Sequence, residues 1–217
     1  MKSISLSLPP KGALVANNPD DPLDYYYRPL VGKLYTERIN IALRLLGERR
    51  FQKSLEVGYG SGILIPTLCQ ISDKVYGVDL GSNPEATSER LGKLNCYPIL
   101  SRGVPDKLDF EDNTFDLVVA ISVLEHIKAI ASFLQEIHRV LSPGGCLLVG
   151  MPAVNKTMEY LFQAIGFSGI EAHHVTSPEE MHQAANSIFV LKSVDRMPNF
   201  LPANTYIYKA FCFEKIA

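Results

Sequence analysis

The sequence predicts an α/β fold, a doubly wound sheet in three layers that is mostly parallel, with an antiparallel last strand. From residue 54 onward, apolar runs of strand length alternate with segments of helical periodicity, which is the rhythm of strand–helix–strand units. Several of these runs are almost continuously apolar, as in strands buried on both faces. The final two runs are joined by a short Pro- and Asn-rich link, which predicts an antiparallel hairpin.

Residues 1–29 are predicted to form an N-terminal arm, and residues 30–217 a single domain. The domain opens with a helix over about 30–47, where apolar residues recur at helical spacing and Gly47 closes the segment. The predicted strands are, in order, SLEVG, KVYGVDL, CYPIL, FDLVVAIS, CLLVGMP, IFVLKSV and TYIYKAFCFEKI. The predicted helices between them are ILIPTLCQI, NPEATSERLGKL, IKAIASFLQEIHRVL, an insertion within about 153–172, and SPEEMHQAANS.

Local signals mark where three of these helices begin or end. Asn83 and Ser177 each precede a proline at the first helical position, which is typical of an N-cap residue. Glu179 and Glu180 then occupy the positive first turn of the helix that follows Ser177. The SPGG sequence at 142–145 predicts the end of the helix before it.

Composition excludes several classes of partner. The chain has 217 residues, 47% of them hydrophobic, and its 21 Lys and Arg against 23 Asp and Glu give a net charge of −2. This balance argues against a nucleic-acid surface that relies on bulk positive charge. No apolar window is long enough for a membrane span or a signal peptide. The four cysteines are scattered among apolar residues, so we expect reduced, buried thiols in a soluble cytoplasmic protein.

Three glycines follow the first predicted strand and lead into a helix. Gly58 and Gly60 permit a tight turn, and Gly62 is expected to let the backbone approach a ligand closely. This arrangement predicts a small molecule bound at the carboxyl end of the first strand. The spacing is G-x-G-x-G, and Ile63 stands where the dinucleotide fingerprint has its third glycine.

Two carboxylates sharpen this prediction. Glu56 lies inside the first strand, where a charge is costly without a partner such as a ligand ammonium group. Asp79 ends the second strand, the place for a carboxylate that binds two ribose hydroxyls. Alternatively, Glu56 makes a contact at the helix N-terminus and Asp79 is a turn residue at the strand end.

Together these segments resemble the class I S-adenosylmethionine-dependent methyltransferases, in particular the small-molecule group with a seven-stranded, Rossmann-like core. The resemblance is carried by LEVGYGSG, GVDL, LDFEDNTFDLVVAISVLEHI and EIHRVLSPGGCLLVGMP, in this order. It implies S-adenosylmethionine as cofactor and S-adenosylhomocysteine as product. It also implies in-line attack of a small-molecule acceptor on the sulfonium methyl.

The resemblance also implies a set of cofactor-binding residues. Glu56 and the loop of Gly58, Tyr59, Gly60, Ser61 and Gly62 would hold the methionine end, and Asp79 the ribose. Leu80 would lie against the adenine, Gly103 and Val104 would meet the adenine edge, and Ala120 and Ile121 would line the sulfonium end. Val104 departs from the family, which often has Asp there, so the adenine amino contact is expected from the backbone, Asp106 or Arg102.

Two histidines are candidates for a catalytic base, namely His126 and His174. In the family, the pair Glu125 and His126 is mainly structural, which is the default interpretation here. A metal-dependent subgroup adds a Glu three residues before that pair, and Ser122 occupies the position in this chain, so no metal is predicted. For the aromatic run at 25–27, packing is favoured over ligand contact.

Two other functions stay open at this point. The first is a cofactor-binding protein without transferase activity, for which the same loop and carboxylates would be retained. The second is an NAD-dependent oxidoreductase, which Ile63 and the FDLVV and LEH segment count against. The sequence leaves the acceptor and the oligomeric state open.

Overall fold

A computed structural model describes residues 3–18, 21–153, 175–200 and 205–216. The helices are α1 (Val31–Arg44), α2 (Ile65–Ile71), α3 (Pro84–Gly92), α4 (Ile130–Val140) and α5 (Pro178–Ala185). The strands are β1 (Phe51–Val57), β2 (Ser72–Asp79), β3 (Ile99–Arg102), β4 (Phe115–Ile121), β5 (Leu141–Pro152), β6 (Phe189–Met197) and β7 (Tyr208–Lys215). Short 3₁₀ turns cover Pro22–Tyr27 and Leu124–His126. The predicted helical insertion lies almost entirely outside the described residues.

Within the described residues, the strands form one seven-stranded sheet in the order β3-β2-β1-β4-β5-β7-β6. The pairs from β3 to β5 are parallel, whereas β7 runs antiparallel to both β5 and β6. The predicted fold and its antiparallel last strand are therefore confirmed. None of the helices that the structure describes is long and apolar enough to cross a bilayer.

Alternation along the strands sends side chains to two separate cores. Leu117 and Val119 of β4 pack in the core that also holds residues of α1 and α2. Val118 and Ala120 point to the opposite core, beneath α4 and α5. Because successive side chains in a strand face opposite sides, both faces of β4 need apolar residues. This explains the uninterrupted apolar run in the sequence.

Several strand boundaries differ from the prediction, and two of these differences have a local cause. The third strand was expected at 96–100, but β3 begins at Ile99. Pro98 has no N–H to donate to a strand ladder, so pairing starts after it. The fifth strand was expected to begin at Cys146, but its pairing with β4 begins at Leu141 and then shifts register across the SPGG segment, where Gly144 has a φ of +74°.

The predicted N-caps are confirmed. The Asn83 side chain accepts a hydrogen bond from the Ala86 N–H, 3.0 Å away. Ser177 forms a capping box with Glu180, in which each side chain binds the other residue's backbone N–H. These contacts satisfy amide groups that a helix leaves without an internal partner.

The cysteines correct one prediction. Cys69 and Cys96 form a disulfide, with sulfur atoms 2.06 Å apart, so the expectation of reduced thiols is wrong for this pair. Cys146 and Cys212 are free and buried, as predicted. The expected cytoplasmic location rested partly on the prediction of reduced thiols, and the disulfide removes that support.

A buried ammonium group joins the end of β7 to the end of α4. Lys215 is only 8% exposed, and its Nζ donates to the carbonyls of His138 and Leu141, 2.8 and 2.7 Å away. It also donates to Asn113 Oδ1 at 2.8 Å. Carbonyls at a helix C-terminus lack internal donors, so a cation placed there both bonds them and complements the helix dipole.

We therefore expect Lys215→Met to lower the free energy of unfolding by about 1–3 kcal/mol, because it leaves these carbonyls without their donor. The measurement is urea unfolding followed by circular dichroism. Lys192→Met is the control, since Lys192 pairs with Glu214 at 3.4 Å on an exposed surface, where such pairs contribute little. Equal losses in the two variants would contradict the assignment.

Candidate functional site

A cavity of about 420 Å³ lies at the carboxyl ends of β1, β2 and β4. This is where open α/β sheets bind their ligands. Nine residues predicted from the sequence line it, namely Glu56, Gly58, Tyr59, Gly60, Ser61, Asp79, Leu80, Ile121 and His126. The structure thus brings most of the predicted site together.

The glycine loop needs its glycines for two different reasons. Gly58, Gly60 and Gly62 all have positive φ, at 74°, 51° and 83°, a region that other residues rarely adopt. A Cβ on Gly58 would also lie 2.3 Å from Val123 Cγ2, so the loop and the segment after β4 approach too closely for a side chain. A Cβ on Gly62 would face Thr87 and Leu91 of α3 instead. Gly62 therefore makes room for a helix, whereas we expected a close approach to the ligand.

Asp79 holds the loops around the cavity. Its Oδ2 accepts from the Gly60 N–H at 2.9 Å, and its Oδ1 accepts from the N–H groups of Gly81 and Ser82 at 2.8 Å each. One carboxylate therefore ties the glycine loop after β1 to the turn after β2. Oδ1 already accepts two hydrogen bonds, whereas Oδ2 accepts one of the three, so Oδ2 retains capacity for a further donor in the cavity.

Glu56 is the buried charge that the sequence predicted. The residue is 5% exposed, and its Oε2 has no hydrogen-bond partner in the described part of the chain. Burial raises the pKa of this carboxyl well above its ordinary value, and the negative charge of Asp79 raises it further. A cation placed in the cavity would reverse this effect, because it would favour the ionised carboxylate.

Arg38 is a site residue that the sequence reasoning missed. It lies on α1 and lines the cavity, where its Nη2 donates to the Tyr26 hydroxyl at 3.0 Å and its guanidinium lies 4.2 Å from the centre of the Tyr35 ring. Its Nε is buried and finds no acceptor among the described residues. In the sequence, Arg38 is one of several charged residues on the helix face opposite the apolar stripe, so no signal separated it from a solvated arginine.

The N-terminal segment also borders the cavity. Asn18, Asp21 and Tyr26 line it. The Asn17 side chain donates to the Gly60 carbonyl, and Ser61 Oγ donates to Asp21 Oδ1 at 3.3 Å. The run at 25–27 is thus divided, because Tyr25 stacks on Tyr35 at 5.4 Å whereas Tyr26 reaches the cavity.

The segment that follows β4 contains strained backbone and buried polar groups. Ser122 has a φ of +56°, and its Oγ is 2.8 Å from the Tyr208 hydroxyl. Glu125 is 2% exposed, and its Oε2 has no partner within the described residues. His126, by contrast, is exposed and lines the cavity.

Four predicted cofactor residues do not line this cavity, namely Gly62, Gly103, Val104 and Ala120. Ala120 is fully buried in the core beneath α4 and α5, because alternation along β4 turns it away from Ile121. Pro105 lines the cavity where Gly103 and Val104 were expected. The second predicted base, His174, lies outside the described residues.

Known proteins resemble the chain in sequence and in structure. Residues 55–149 match one family model described as a methyltransferase domain, and residues 103–200 match a second with the same description. A ubiquinone biosynthesis O-methyltransferase of Pseudomonas aeruginosa is 33% identical over 119 residues, which cover 53% of this chain and 50% of the relative. A demethylmenaquinone methyltransferase of Chlorobaculum tepidum is 31% identical over 143 residues, covering 64% and 55%. The chain spans about half the length of these curated relatives.

Solved structures share the fold. A protein of Pyrococcus horikoshii has a TM-score of 0.70 at 18% identity, covering 87% of this chain and 92% of that one. The N-methyltransferase NodS of Bradyrhizobium japonicum, in complex with S-adenosyl-L-homocysteine, has a TM-score of 0.65 at 15% identity, covering 92% and 94%. Both family models describe a methyltransferase domain, and together with the strand order and the glycine loop they support the predicted resemblance to class I S-adenosylmethionine-dependent methyltransferases.

Proposed function

We propose that this chain is an enzyme that transfers a methyl group from S-adenosylmethionine to a small-molecule acceptor. The observation that carries the proposal is the distribution of charge around the cavity. Carboxylates of Glu56 and Asp79 and the guanidinium of Arg38 all border it. This set complements a ligand that has ribose hydroxyls, an ammonium group and a carboxylate, and those are the polar groups of S-adenosylmethionine.

Asp79 is proposed to bind the ribose. Its two oxygens already accept from Gly60, Gly81 and Ser82, which orients the carboxylate before any ligand arrives. Hydrogen bonds to an ionised acceptor are stronger than neutral ones, and a preset acceptor loses little entropy on binding.

Glu56 and Arg38 are proposed to bind the amino-acid end of the cofactor. The unpartnered Oε2 of Glu56 fits a ligand ammonium, and the unpartnered Nε of Arg38 fits a ligand carboxylate. A buried polar atom without a partner is costly, so a ligand that bonds both atoms would recover that free energy.

The adenine side is proposed to lie along Leu80 and Pro105. Leu80 is 62% exposed beside Asp79, and Val104 is 43% exposed on the neighbouring segment. Apolar surface of this kind at the rim of a cavity is suited to a flat, weakly polar ring. Gly103, Val104 and Ala120 remain proposals from the family resemblance, and the cavity lining supports Pro105 and Ile121 more directly.

The acceptor is proposed to be a small molecule with an apolar part. Ile39, Val123 and Ile127 line the cavity beside His126. The curated relatives named above carry quinone-related names, which supports an apolar acceptor, and the choice of accepting atom stays open. When bound, S-adenosylmethionine supplies a methyl group already activated by its sulfonium. The residues therefore have to orient the acceptor, exclude water and, where needed, take a proton, for which His126 is the candidate.

Of the two other functions considered, the oxidoreductase is disfavoured, because both matching family models describe methyltransferase domains. A binding protein without activity would have the same cavity. Turnover separates a methyltransferase from a binding protein. The measurement is release of S-adenosylhomocysteine in the presence of a panel of phenolic, quinol and amine acceptors. Tight binding of S-adenosylhomocysteine without turnover of any acceptor would favour the binding protein.

The ribose assignment predicts that Asp79→Asn weakens binding of S-adenosylhomocysteine by about 1–3 kcal/mol, measured by isothermal titration calorimetry. Methylthioadenosine, which has the same ribose but lacks the amino-acid end, should lose a similar amount. Asp73→Asn is the matched control, since Asp73 is an exposed carboxylate of β2 that lies 3.8 Å from Arg50. An unchanged affinity of the Asp79 variant for S-adenosylhomocysteine would contradict the assignment of Asp79 to the ribose.

The carboxylate assignment predicts a different pattern for Arg38→Met. Affinity for S-adenosylhomocysteine should fall about tenfold or more, because a charge-assisted hydrogen bond is lost. Affinity for methylthioadenosine should stay the same, since that ligand has no carboxylate. Arg44→Met is the control on α1, where Arg44 pairs with Glu37 on the surface. A loss for both ligands would mean that Arg38 supports the cavity rather than the ligand carboxylate.

Glu125 predicts a dependence of stability on pH. Burial raises the pKa of its carboxyl to about 8, against an ordinary value of 4.5, so the folded chain keeps a proton that the unfolded chain releases. The contribution of this group is therefore fully present below about pH 4.5 and is lost as pH rises towards 8. We expect Glu125→Gln to flatten the fall in unfolding free energy between these limits, measured by urea unfolding at several pH values. Parallel curves for the two proteins would contradict the raised pKa.

A further inference from the structure

The two free cysteines lie together, far from the cavity, at the other end of the sheet. Leu148 of β5 is paired with Cys212 of β7, and Cys146 is paired with Glu214, so the cysteines are diagonal neighbours on two antiparallel strands. Both side chains enter the core on the α1 side of the sheet. Their sulfur atoms are 2.9 Å apart, within hydrogen-bond distance.

A single arginine covers this pair. Arg49 follows α1, and its Nη2 lies 3.4 Å from Cys212 Sγ and 3.9 Å from Cys146 Sγ. Its Nε donates to the Leu46 carbonyl at 2.9 Å, which fixes the guanidinium over the sulfur atoms. Cys146 and Cys212 are 2% and 0% exposed, whereas Arg49 itself is exposed. The arginine side chain is thus in contact with both solvent and the thiols.

We propose that Cys146 and Cys212 form a dithiol site that reacts with a hydroperoxide and closes to an intramolecular disulfide. Nothing in the methyl-transfer site uses these residues. A disulfide bond is about 2.05 Å long, so the sulfur atoms need to approach by less than about 1 Å from their present positions. The two sulfur atoms are thus already close to bonding distance.

The charges around the pair favour Cys212 as the nucleophile. The hydrogen bond from the Cys146 thiol and the nearby Arg49 guanidinium lower the pKa of Cys212, against the effects of burial and of Glu214. Donating that hydrogen bond raises the pKa of Cys146, which keeps its proton. Thiolate is the form of cysteine that attacks, and a neighbouring arginine is a common way to stabilise it.

The proposed reaction has two steps. The Cys212 thiolate attacks one peroxide oxygen and breaks the O–O bond, giving a sulfenic acid, and the second oxygen leaves as water after protonation. The Cys146 sulfur then attacks Cys212 Sγ, which forms the S–S bond and breaks the S–O bond, and the thiol proton leaves with the hydroxide as a second water. Two thiols are oxidised and one hydrogen peroxide molecule is reduced to two waters.

The test treats the folded chain with hydrogen peroxide, then denatures it in N-ethylmaleimide and maps the labelled peptides by mass spectrometry. Before treatment, Cys146 and Cys212 should both be labelled. Afterwards neither should be, and a Cys146–Cys212 peptide should appear while the Cys69–Cys96 link persists. Retained labelling, oxidation that stops at sulfinic acid, or a link to Cys69 or Cys96 would each overturn the proposal.

Variants test the roles of the individual residues. Cys146→Ser should leave a sulfenic acid at Cys212 that dimedone traps, and Cys212→Ser should leave no such acid at Cys146. Arg49→Met keeps a side chain of similar length over the thiols but removes its charge, so the peroxide reaction should slow about tenfold or more. Arg50→Met is the matched control, because Arg50 points instead to the Gln70 carbonyl. Equal rates for the two arginine variants would contradict the role of Arg49.

Discussion

The hydrogen bonds that one carboxylate accepts from three backbone amides organise the cavity end of this molecule. Asp79 joins the glycine loop after β1 to the turn after β2 through Gly60, Gly81 and Ser82. The glycine loop is also bonded to the N-terminal segment, because the Asn17 side chain donates to the Gly60 carbonyl and Ser61 Oγ donates to Asp21 Oδ1. The ends of two neighbouring strands are therefore joined through Asp79, and the N-terminal segment is joined to them through the glycine loop.

The described part of the protein does not supply hydrogen-bond partners for all the polar atoms around the cavity. Glu56 and Arg38 each keep a buried polar atom without a partner in the described residues. Such atoms are costly in a protein interior and are found mainly where a ligand or a function accounts for them. The molecule thus gives up some stability at the positions where a charged ligand end would supply the missing bonds. The positive φ of Ser122 at the end of β4 is a second local cost in the same place.

Most of the fold and about half of the site could be predicted from local patterns in the sequence. The mostly parallel sheet follows from the alternation of apolar runs with helical segments, and the caps at Asn83 and Ser177 depend on residues close in the chain. Glu56 and Asp79 were recognisable as candidate site residues because of their positions in the sequence relative to the glycines. Arg38 was not recognisable, since its burial depends on how α1 packs against Tyr26, and neither pattern nor spacing encodes that. The same holds for the cysteines, whose pairing depends on strand register and on the approach of α2 to the segment before β3.

The contact between Asn17 and the Gly60 carbonyl has a consequence for the N-terminus. Because residues 3–18 lie on the domain through Asn40 and Thr67 as well, this stretch and the glycine loop share one network. Thermodynamic linkage then requires that whatever stabilises the loop also stabilises the attached stretch, by the same coupling free energy. A substitution that loosens residues 3–18 would therefore also loosen the glycine loop, by the same coupling free energy.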